Sequence, residues 1–552
     1  MCQLIRARAA GAKLLLFGTE FTLAVAAAAS RSIRPESRFL VWRLCKAPLY
    51  FTNLRLTNIL VPMRVPYSAR LIGRKAEWSR LQEFLGGKTK QATLGIVWGR
   101  RRVGKSLLLE SFAEKTGGFY YEAVRGSGAE ALRDLGERLG AYQGSAAPLA
   151  LADWEEAICA LLALARARKT VIVLDEYPYL LEHTPGLDSI VQRVLGSRSG
   201  GKRPSPARLI LCGSAMSIMS GVLSGTAPLR GRAGLDLRLS PFDFRQARAL
   251  HGIDDHRTAL NTYAVIGGVA AYAREMVDGD MPSGARDFDR WVCRRVLSPA
   301  APLFSEVPLL LSEDPALAKA RKLNLYHAAL AGVATGHHAH AKLTSYVKTS
   351  GPSLAPIIEA LVASELVERV QDPLREKRPT YHPADPLLRF YYVLIRRHHA
   401  RLARHDAKAA RIWSSIEPTF RSQVIGPCFE GIARYWVTHF ASPTTTGGEI
   451  DKVGPTSLSG HDAIGQIDVV VTGHGEVGGA APVTAIGEAK AGERISGRHL
   501  RRLEAARRAI GARAAGAKLL LFGTTFTPAV VAAARARSDV EVVDLDRLYG
   551  GD

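Results

Sequence analysis

The stretch TLGIVWGRRRVGKSLLLESF, residues 93–112, decides the fold of the first half of this 552-residue chain. An apolar run up to Trp98 predicts a buried strand, and the apolar pattern of residues 107–112 predicts a helix. Between them, GRRRVGKS at 99–106 is a glycine-rich loop. A loop of this kind between a strand and a helix is the context that a Walker A motif requires.

The loop composition predicts a binding site for ATP and Mg²⁺. Gly99 and Gly104 allow backbone N–H groups to turn inward and cradle phosphates at the helix N-terminus. Lys105 would reach the β- and γ-phosphates, and the Ser106 hydroxyl would bind Mg²⁺. The alternative is a glycine-rich turn that only caps a helix. The predicted nucleotide-binding residues of the loop are Gly99, Arg100, Arg101, Arg102, Val103, Gly104, Lys105 and Ser106.

A second motif, KTVIVLDEYPYL at 169–180, is a β-branched run that ends in two acids and predicts a buried strand. Acids at the carboxyl end of a strand lie where an open α/β sheet places its ligands. We expect Asp175 to hold Mg²⁺ through water. We expect Glu176 to orient or deprotonate the attacking water.

Two further strands complete the predicted sheet. GGFYYEAV at 117–124 indicates an inserted strand between the two motifs, and ARLILCGSAMSIM at 207–219 indicates another that ends before Ser214. This arrangement resembles the additional-strand class of P-loop ATPases, whose fourth strand carries a polar sensor of the γ-phosphate. Ser214 is the candidate sensor, with a simple turn residue as the alternative.

An arginine finger, which stabilises charge in the transition state, is the next candidate. Arg230 and Arg232 precede a short predicted strand in APLRGRAGLDLRLSPF, residues 227–242. Arg232 is the candidate catalytic residue of the two. The alternative is a surface arginine that contacts no phosphate.

The order of these motifs resembles a known family over residues 68–552. GR-x-x-E, GRRRVGKS, VLDE, CGSAMS and LRGR follow one another as in the bacterial and archaeal AAA-type ATPases related to the STAND NTPases. In that family the C-terminal part is a conserved domain of unknown function. The resemblance implies ATP binding and slow, regulated hydrolysis, and it does not identify a substrate.

The resemblance and the patterns divide the first part of the chain into three segments. They are an ATPase domain over 63–245, a helical lid over 246–320 and a winged-helix domain over 321–404. The winged helix is predicted from two helices followed by a basic hairpin around REKRPTYHPAD. It would contact DNA or, alternatively, dock a protein. The basic side chains available for phosphates are Lys342, Lys348, Arg369, Arg375, Lys377 and Arg378.

The last segment, 405–552, resembles the PD-(D/E)xK nuclease superfamily. Glu430 lies on a predicted helix, Asp468 on the strand GQIDVVVTG, and Glu488 and Lys490 on the strand VTAIGEAKAG. Alternate residues of a strand face the same side, so the last two would converge with Asp468.

Asp468 and Glu488 would bind Mg²⁺, and Lys490 would stabilise the phosphate or position water. Asp451 is the rival for Asp468, but it lacks a following valine-rich strand. The helix and strands predicted over 498–549 continue a restriction-endonuclease-like core. The alternative is a degenerate fold that binds without cleaving.

A segment of this C-terminal region occurs twice. ARAAGAKLLLFGT stands at 7–19 and again at 512–524, and the similarity continues to residue 29. The first copy has no neighbouring strands with which it could pair. We therefore expect 1–62 to be a non-domain extension, a partial copy of the 507–534 region read through from an upstream paralogue into a gene starting at Met63. A signal peptide and a domain-swapping strand are the alternatives.

Composition adds broad constraints. The net charge is +23, which favours polyanionic partners, nucleic acid before membrane, although drift towards alanine and arginine is an alternative. The six cysteines form no CxxC pair, which argues against a zinc site or a disulfide framework and for a reducing compartment. No run of 18 apolar residues is present, so no membrane span is predicted.

The predicted fold is therefore α/β multidomain: an additional-strand P-loop sheet, a helical lid, a winged helix and a restriction-endonuclease-like domain. The predicted function is that of a cytoplasmic ATPase that acts on or is regulated by DNA, with metal-dependent nuclease activity and a homo-oligomer as the candidate assembly. The alternative is a non-cleaving nucleotide-dependent switch that binds nucleic acid or a protein.

Overall fold

The computed structural model describes most of the chain after residue 64. The described residues are 65–552 apart from 197–204, 223, 226, 314–316, 318–322, 405–407, 459–464 and 476–479. The expectation for residues 1–62 lies outside the described residues.

A parallel sheet forms the centre of the first part of the chain. Its strands, in chain order, are β1 (Thr93–Trp98), β2 (Phe119–Glu122), β3 (Val171–Asp175), β4 (Arg208–Gly213) and β5 (Ala233–Arg238). The spatial order is β2-β3-β4-β1-β5, and every described pair is parallel. The predicted inserted strand is β2, but it lies at the edge of the sheet. The strand that separates β1 from β3 is β4.

Helices cover both faces of this sheet. They are α1 (Lys75–Gly86), α2 (Lys105–Thr116), α3 (Gly128–Tyr142), α4 (Trp154–Ala163), α5 (Tyr177–His183), α6 (Leu187–Gly196) and α7 (Met216–Val222). Every residue of β3 and β4 is buried, which explains their nearly continuous apolar sequences. Because all five strands run parallel, their carboxyl ends lie at the same end of the sheet, where the loop that follows β1 begins.

The middle of the chain is mainly helical. Its helices are α8 (Phe244–His251), α9 (His256–Ile266), α10 (Ala285–Arg295), α11 (Pro302–Glu313), α12 (Leu323–Ala334), α13 (His340–Val347) and α14 (Gly351–Ala363). An antiparallel hairpin follows, formed by β6 (Val367–Asp372) and β7 (Arg375–Pro383). Helices followed by a hairpin are the elements expected of a winged helix, and that assignment stays a prediction.

Two long helical stretches lead from the hairpin to the C-terminal sheet. The first consists of α15 (Pro386–Phe390), a π-helical segment (Tyr391–Ile395) and α16 (Arg396–Leu402). The second consists of α17 (Ala409–Thr419), a π-helical segment (Phe420–Ile425) and α18 (Gly426–His439). A further π-helical segment, Tyr272–Met276, lies after α9.

The C-terminal sheet is mixed. Its strands are β8 (Lys452–Leu458), β9 (Gly465–Thr472), β10 (Val483–Lys490), β11 (Lys518–Gly523) and β12 (Val540–Val543). They lie side by side in chain order, antiparallel from β8 to β10 and parallel from β10 to β12. The remaining helices are α19 (Pro443–Thr446), α20 (Gly497–Ile510), the 3₁₀ turn Gly511–Ala514, α21 (Pro528–Ala536) and α22 (Leu545–Gly550).

The two faces of this sheet belong to different hydrophobic clusters. Leu503 of α20 packs with Ile486 on one face, whereas Trp436 of α18 packs with Phe522 on the other. The cluster around Trp436 extends back to Phe242. The segments predicted as lid, winged helix and nuclease-like domain therefore share one continuous core in the described part of the chain.

No helix among the described residues combines the length and apolarity needed to cross a membrane.

Candidate functional site

The loop between β1 and α2 needs glycine at both ends. Gly99 has φ +151° and Gly104 has φ +91°. A Cβ atom on Gly99 would lie 2.2 Å from the carbonyl oxygen of Leu239, which no packing adjustment of a side chain would relieve. Val103 is fully buried beneath the loop. The backbone thus turns closely around the start of α2, where its N–H groups can meet an anion.

Lys105 is held inside this loop. Its Nζ donates to the carbonyl oxygens of Gly99 at 2.8 Å and Arg100 at 2.9 Å. Burial lowers its pKa, and nearby carboxylates including Glu176 partly offset that effect. The loop carbonyls therefore keep a buried ammonium beside the position at which phosphates would lie.

Asp175 ends β3 and is fully buried. Its Oδ2 accepts a hydrogen bond from the Tyr120 hydroxyl at 2.7 Å, and its Oδ1 accepts one from the Glu176 N–H at 2.8 Å. Tyr120 also interacts with the hydroxyl of Ser106. The structure thus brings the two predicted Mg²⁺ ligands, Ser106 and Asp175, to one place.

Glu176 and Ser214 form a direct pair. The Ser214 hydroxyl lies 2.9 Å from one carboxylate oxygen of Glu176 and 3.0 Å from the other. Glu176 itself has φ +50°, a left-handed conformation that is uncommon for a residue with a side chain. Because β4 lies between β1 and β3, the turn after β4 places Ser214 between the loop and the acidic strand.

The side chains of the three loop arginines point to other elements. Arg100 is buried, with its guanidinium 2.8 Å from the carboxylate of Asp385. Arg101 donates to the hydroxyl of Tyr179 at 2.8 Å, and Arg102 forms an ion pair with the buried Glu306. Their role in nucleotide binding stays a prediction, and with the side chains so engaged it would be carried out by the backbone N–H groups.

Arg232 lies at the end of the sheet opposite the glycine-rich loop. It precedes β5, which runs parallel to β1, so it is level with the amino end of β1. The length of β1 separates it from the loop by roughly 15–20 Å. Arg230 is likewise exposed and donates to the Gly225 carbonyl at 2.7 Å. Neither arginine is brought to the phosphate loop of its own chain.

A second cluster forms on the C-terminal sheet. The Lys490 ammonium lies 2.9 Å from Oδ2 of Asp468 and 3.0 Å from Oε1 of Glu488, so it bridges the two carboxylates. The Ala489 N–H also donates to Asp468 at 3.0 Å. Arg502 of α20 forms an ion pair with Glu488. The structure therefore brings together the three residues predicted from the two strands.

Glu430 joins this cluster from α18. Burial, followed by the charge of Asp468, raises its pKa to about 7. One turn further along, Arg434 donates to the Asp468 carbonyl at 3.1 Å. Burial, again followed by Asp468, also raises the pKa of Glu488. Each carboxyl group is thus held close to another in partly dehydrated surroundings.

One carboxylate oxygen of this cluster is available to a cation. Oε2 of Glu488 is buried without a hydrogen-bond partner. Among the described residues, no group of three or more His, Cys, Asp or Glu side chains has a metal-holding arrangement. Mg²⁺ commonly uses only one or two carboxylates together with substrate phosphates, so a pair of acids is compatible with it.

Asp451, the rival for Asp468, lies elsewhere. It is exposed, its N–H donates to the Thr472 carbonyl at 2.8 Å, and its carboxylate lies 4.0 Å from His474. Thr472 is level with Val483, five residues from Glu488 along β10. That spacing separates Asp451 from the cluster by roughly 15 Å.

The basic hairpin packs against the C-terminal sheet. Asp372, at the end of β6, accepts a hydrogen bond from the buried Thr456 hydroxyl of β8 at 3.0 Å. A Cβ atom on Gly454 would lie 2.1 Å from the Gln371 carbonyl oxygen. Arg369 pairs with Glu359 within its own segment. All six predicted phosphate-binding side chains are exposed, including Arg369 in its ion pair: Lys342, Lys348, Arg369, Arg375, Lys377 and Arg378.

Sequence reasoning missed several residues that complete the two sites. Alternation along β2 was the signal available for Tyr120, because Tyr120 and Glu122 share a face of the strand next to Asp175. The basic pattern of α20 was the signal for Arg502. Asp385 and Arg434 gave none, because their contacts join distant parts of the chain.

Comparison with known proteins finds similar proteins and a matching domain model for part of the chain. An uncharacterized protein of Methanocaldococcus jannaschii, MJECL04, is 24% identical over 331 residues, which cover 59% of this chain and 68% of that protein. A Walker-type ATPase of Pyrococcus abyssi is 20% identical, with 58% of this chain and 96% of the other covered and a TM-score of 0.45. ORC2 of Aeropyrum pernix, in its ADPNP–ADP complexes, is 16% identical, with coverage of 63% and 96% and a TM-score of 0.33.

Residues 71–253 match the family described as an ATPase domain predominantly from Archaea. This range contains the glycine-rich loop, the acidic end of β3 and the Glu176–Ser214 pair. The chain therefore carries an archaeal-type ATPase domain over these residues.

Proposed function

We propose that this protein binds ATP and hydrolyses it slowly in a Mg²⁺-dependent reaction. The observation that carries the proposal is the hydrogen-bonded pair of Glu176 and Ser214, placed beside the loop that holds Lys105. Glu176 would orient the attacking water and accept its proton. Ser214 would fix the Glu176 carboxylate and sense the γ-phosphate from the same edge of the sheet.

Lys105 has a specific part in this proposal. When phosphates enter, its ammonium would exchange the carbonyl oxygens of Gly99 and Arg100 for β- and γ-phosphate oxygens. Backbone N–H groups at the start of α2 would bind the same phosphates. Ser106 and Asp175 offer the hydroxyl and carboxylate oxygens that Mg²⁺ prefers. Bound Mg²⁺ supplies neutralisation of phosphate charge.

We further propose that the protein acts on DNA through the cluster of Glu430, Asp468, Glu488 and Lys490, as a metal-dependent nuclease of the PD-(D/E)xK type. The proposal is supported by the convergence of these side chains from one helix and two strands. Asp468 and Glu488 would hold Mg²⁺, and Lys490 would then stabilise charge on the scissile phosphate. The exposed basic side chains and the net charge of +23 favour a polyanionic substrate.

The competing proposal is a nucleotide-dependent switch that does not cleave. It is favoured by the position of Lys490, whose ammonium already forms ion pairs with both carboxylates. It is also favoured by the contact between Asp372 and Thr456, which directs the hairpin towards the C-terminal sheet. In this alternative, ATP binding would expose basic surfaces to a nucleic acid or a protein.

A homo-oligomer would give Arg232 a role. Because this residue is exposed at the edge of the sheet opposite the loop, it can act as an arginine finger only on the nucleotide of a neighbouring copy. Stimulation of ATP turnover by rising protein concentration, and its loss in Arg232→Ala, would support that arrangement.

One experiment separates the nuclease from the non-cleaving switch and also tests the ATPase proposal. ATP turnover is measured for the full chain with Mg²⁺, with and without double-stranded and branched DNA, and the same samples are analysed for cleaved DNA. DNA-stimulated turnover with cleavage supports the nuclease. ATP-dependent DNA binding without cleavage supports the switch, and absence of turnover in every condition contradicts the ATPase proposal.

A further inference from the structure

Tyr120 hydrogen-bonds to one of the two side chains that we propose as Mg²⁺ ligands and interacts with the other, although it belongs to neither motif. Its hydroxyl donates to Oδ2 of Asp175 at 2.7 Å and interacts with the hydroxyl of Ser106. The other oxygen of Asp175 accepts the N–H of Glu176 at 2.8 Å. Each oxygen of the buried carboxylate therefore accepts a hydrogen bond, and the buried Cys212 thiol also interacts with this carboxylate.

The sheet explains how this tyrosine reaches the site. In the pairing of β2 with β3, Tyr120 is level with Val173, and Glu122 is level with Asp175. Tyr120 is half-buried against the same hydrophobic cluster as α2, the helix that carries Ser106. Its hydroxyl thus lies between the first turn of α2 and the end of β3.

The next residue shows what a purely structural tyrosine does in this strand. Tyr121 points to the opposite face, where its side chain is buried and its hydroxyl donates to the Ala131 carbonyl at 3.2 Å. That hydroxyl also interacts with the carboxylate of Asp134, and it touches no predicted ligand. Tyr120, by contrast, satisfies a carboxylate that we expect to face the cation.

We propose that Tyr120 is a positioning residue for the divalent cation that enters with the nucleotide. The proposal rests on the Mg²⁺-dependent ATPase function given above. Tyr120 fixes the orientation of the Asp175 carboxylate and keeps the Ser106 hydroxyl near it, so that both are aligned before the cation arrives. Removal of a group that orients a metal ligand typically lowers metal affinity about 10- to 100-fold.

The test is a Mg²⁺ titration of nucleotide binding, which needs no turnover. The full chain and Tyr120→Phe are titrated with Mg²⁺ in the presence of a fluorescent ADP analogue, and binding of the analogue is also measured in EDTA. We expect the half-saturating Mg²⁺ concentration to rise about 10-fold or more in Tyr120→Phe. Affinity in EDTA should stay unchanged, because Tyr120 contacts no predicted phosphate ligand other than Ser106.

Tyr121→Phe is the matched control, since it removes one hydroxyl from the other face of the same strand. It should keep the Mg²⁺ dependence of the wild type, and melting in EDTA verifies that both variants are folded. The positioning role is contradicted if Tyr120→Phe requires no more Mg²⁺ than the wild type, or if Tyr121→Phe shifts the requirement equally. If the wild type binds the analogue identically with and without Mg²⁺, the metal assignment of the proposed function fails, and this inference with it.

Discussion

Arg100 of the phosphate loop and Asp385 form a buried ion pair, with 2.8 Å between guanidinium nitrogen and carboxylate oxygen. Asp385 also caps α15, because its other oxygen accepts the N–H of Leu387 at 2.8 Å. One turn along that helix, Arg389 is buried and interacts with Glu430. The loop thus contacts the start of a helix whose Arg389 lies within electrostatic reach of the acidic cluster of the C-terminal sheet.

This connection predicts a large effect of Asp385→Asn on stability. The substitution leaves the Arg100 guanidinium buried without a carboxylate, and breaking a buried pair in this way typically costs about 3–5 kcal/mol. We expect a decrease of that order in the free energy of unfolding, measured by urea denaturation. Glu155→Gln is the control, since it removes the exposed partner of Arg193 and should change stability by about 1 kcal/mol or less. Equal stabilities for Asp385→Asn and Glu155→Gln would contradict the prediction.

A second prediction separates nucleotide binding from hydrolysis. Lys105→Ala should abolish binding of ATP, because the β- and γ-phosphates lose their buried cationic partner. Glu176→Gln should bind ATP as the wild type does but turn it over about 100-fold more slowly or worse, since the attacking water loses its base. Calorimetry measures the first effect and phosphate release the second. Normal turnover by Glu176→Gln would remove that residue from the mechanism.

Much of the nucleotide site could be predicted because its chemistry is local in sequence. The spacing of Gly99, Gly104 and Lys105 fixes the loop, and an apolar strand ending in two acids fixes Asp175. Ser214 follows from the same logic, since it also succeeds a buried strand. The match to an archaeal-type ATPase domain over 71–253 confirms the expected kind of domain, and the roles of these residues stay predictions.

Contacts between distant segments could not be predicted in this way. Nothing near Asp385 indicates that it pairs with Arg100, because the partners are 285 residues apart and meet only when the helical middle folds back on the sheet. For Arg232 the sequence position was misleading. It directly precedes β5 of the sheet that carries the glycine-rich loop. Because β5 runs parallel to β1, Arg232 lies at the end of the sheet away from that loop.

Glu430 provides a prediction about pH. Burial and the charge of Asp468 raise its pKa to about 7, above the usual value of 4.5, so the folded protein binds this proton more tightly than the unfolded chain. The corresponding stabilisation is fully present below about pH 4.5 and is lost as pH rises through about 7. Glu430→Gln, which stays neutral, should therefore gain stability relative to the wild type as pH rises from 4.5 to 8. Urea denaturation in EDTA across this range measures the difference, and a constant difference at every pH would contradict the assignment.

The last prediction concerns cleavage of DNA. The Lys490 ammonium lies 2.9 Å from the Asp468 carboxylate and 3.0 Å from the Glu488 carboxylate, so we expect the three residues to act as a single unit. Removing any one by substitution with alanine should abolish nearly all cleavage, because residues that act together are strongly non-additive. DNA binding should persist, since dispersed lysines and arginines supply most of the affinity for phosphates. Asp451→Ala is the matched control, because that carboxylate is exposed and lies apart from the cluster. Cleavage of plasmid and branched DNA with Mg²⁺ or Mn²⁺ is the measurement. Equal cleavage by the wild type and Asp468→Ala would show that the site is wrong, and an inactive wild type that still binds DNA would favour the switch.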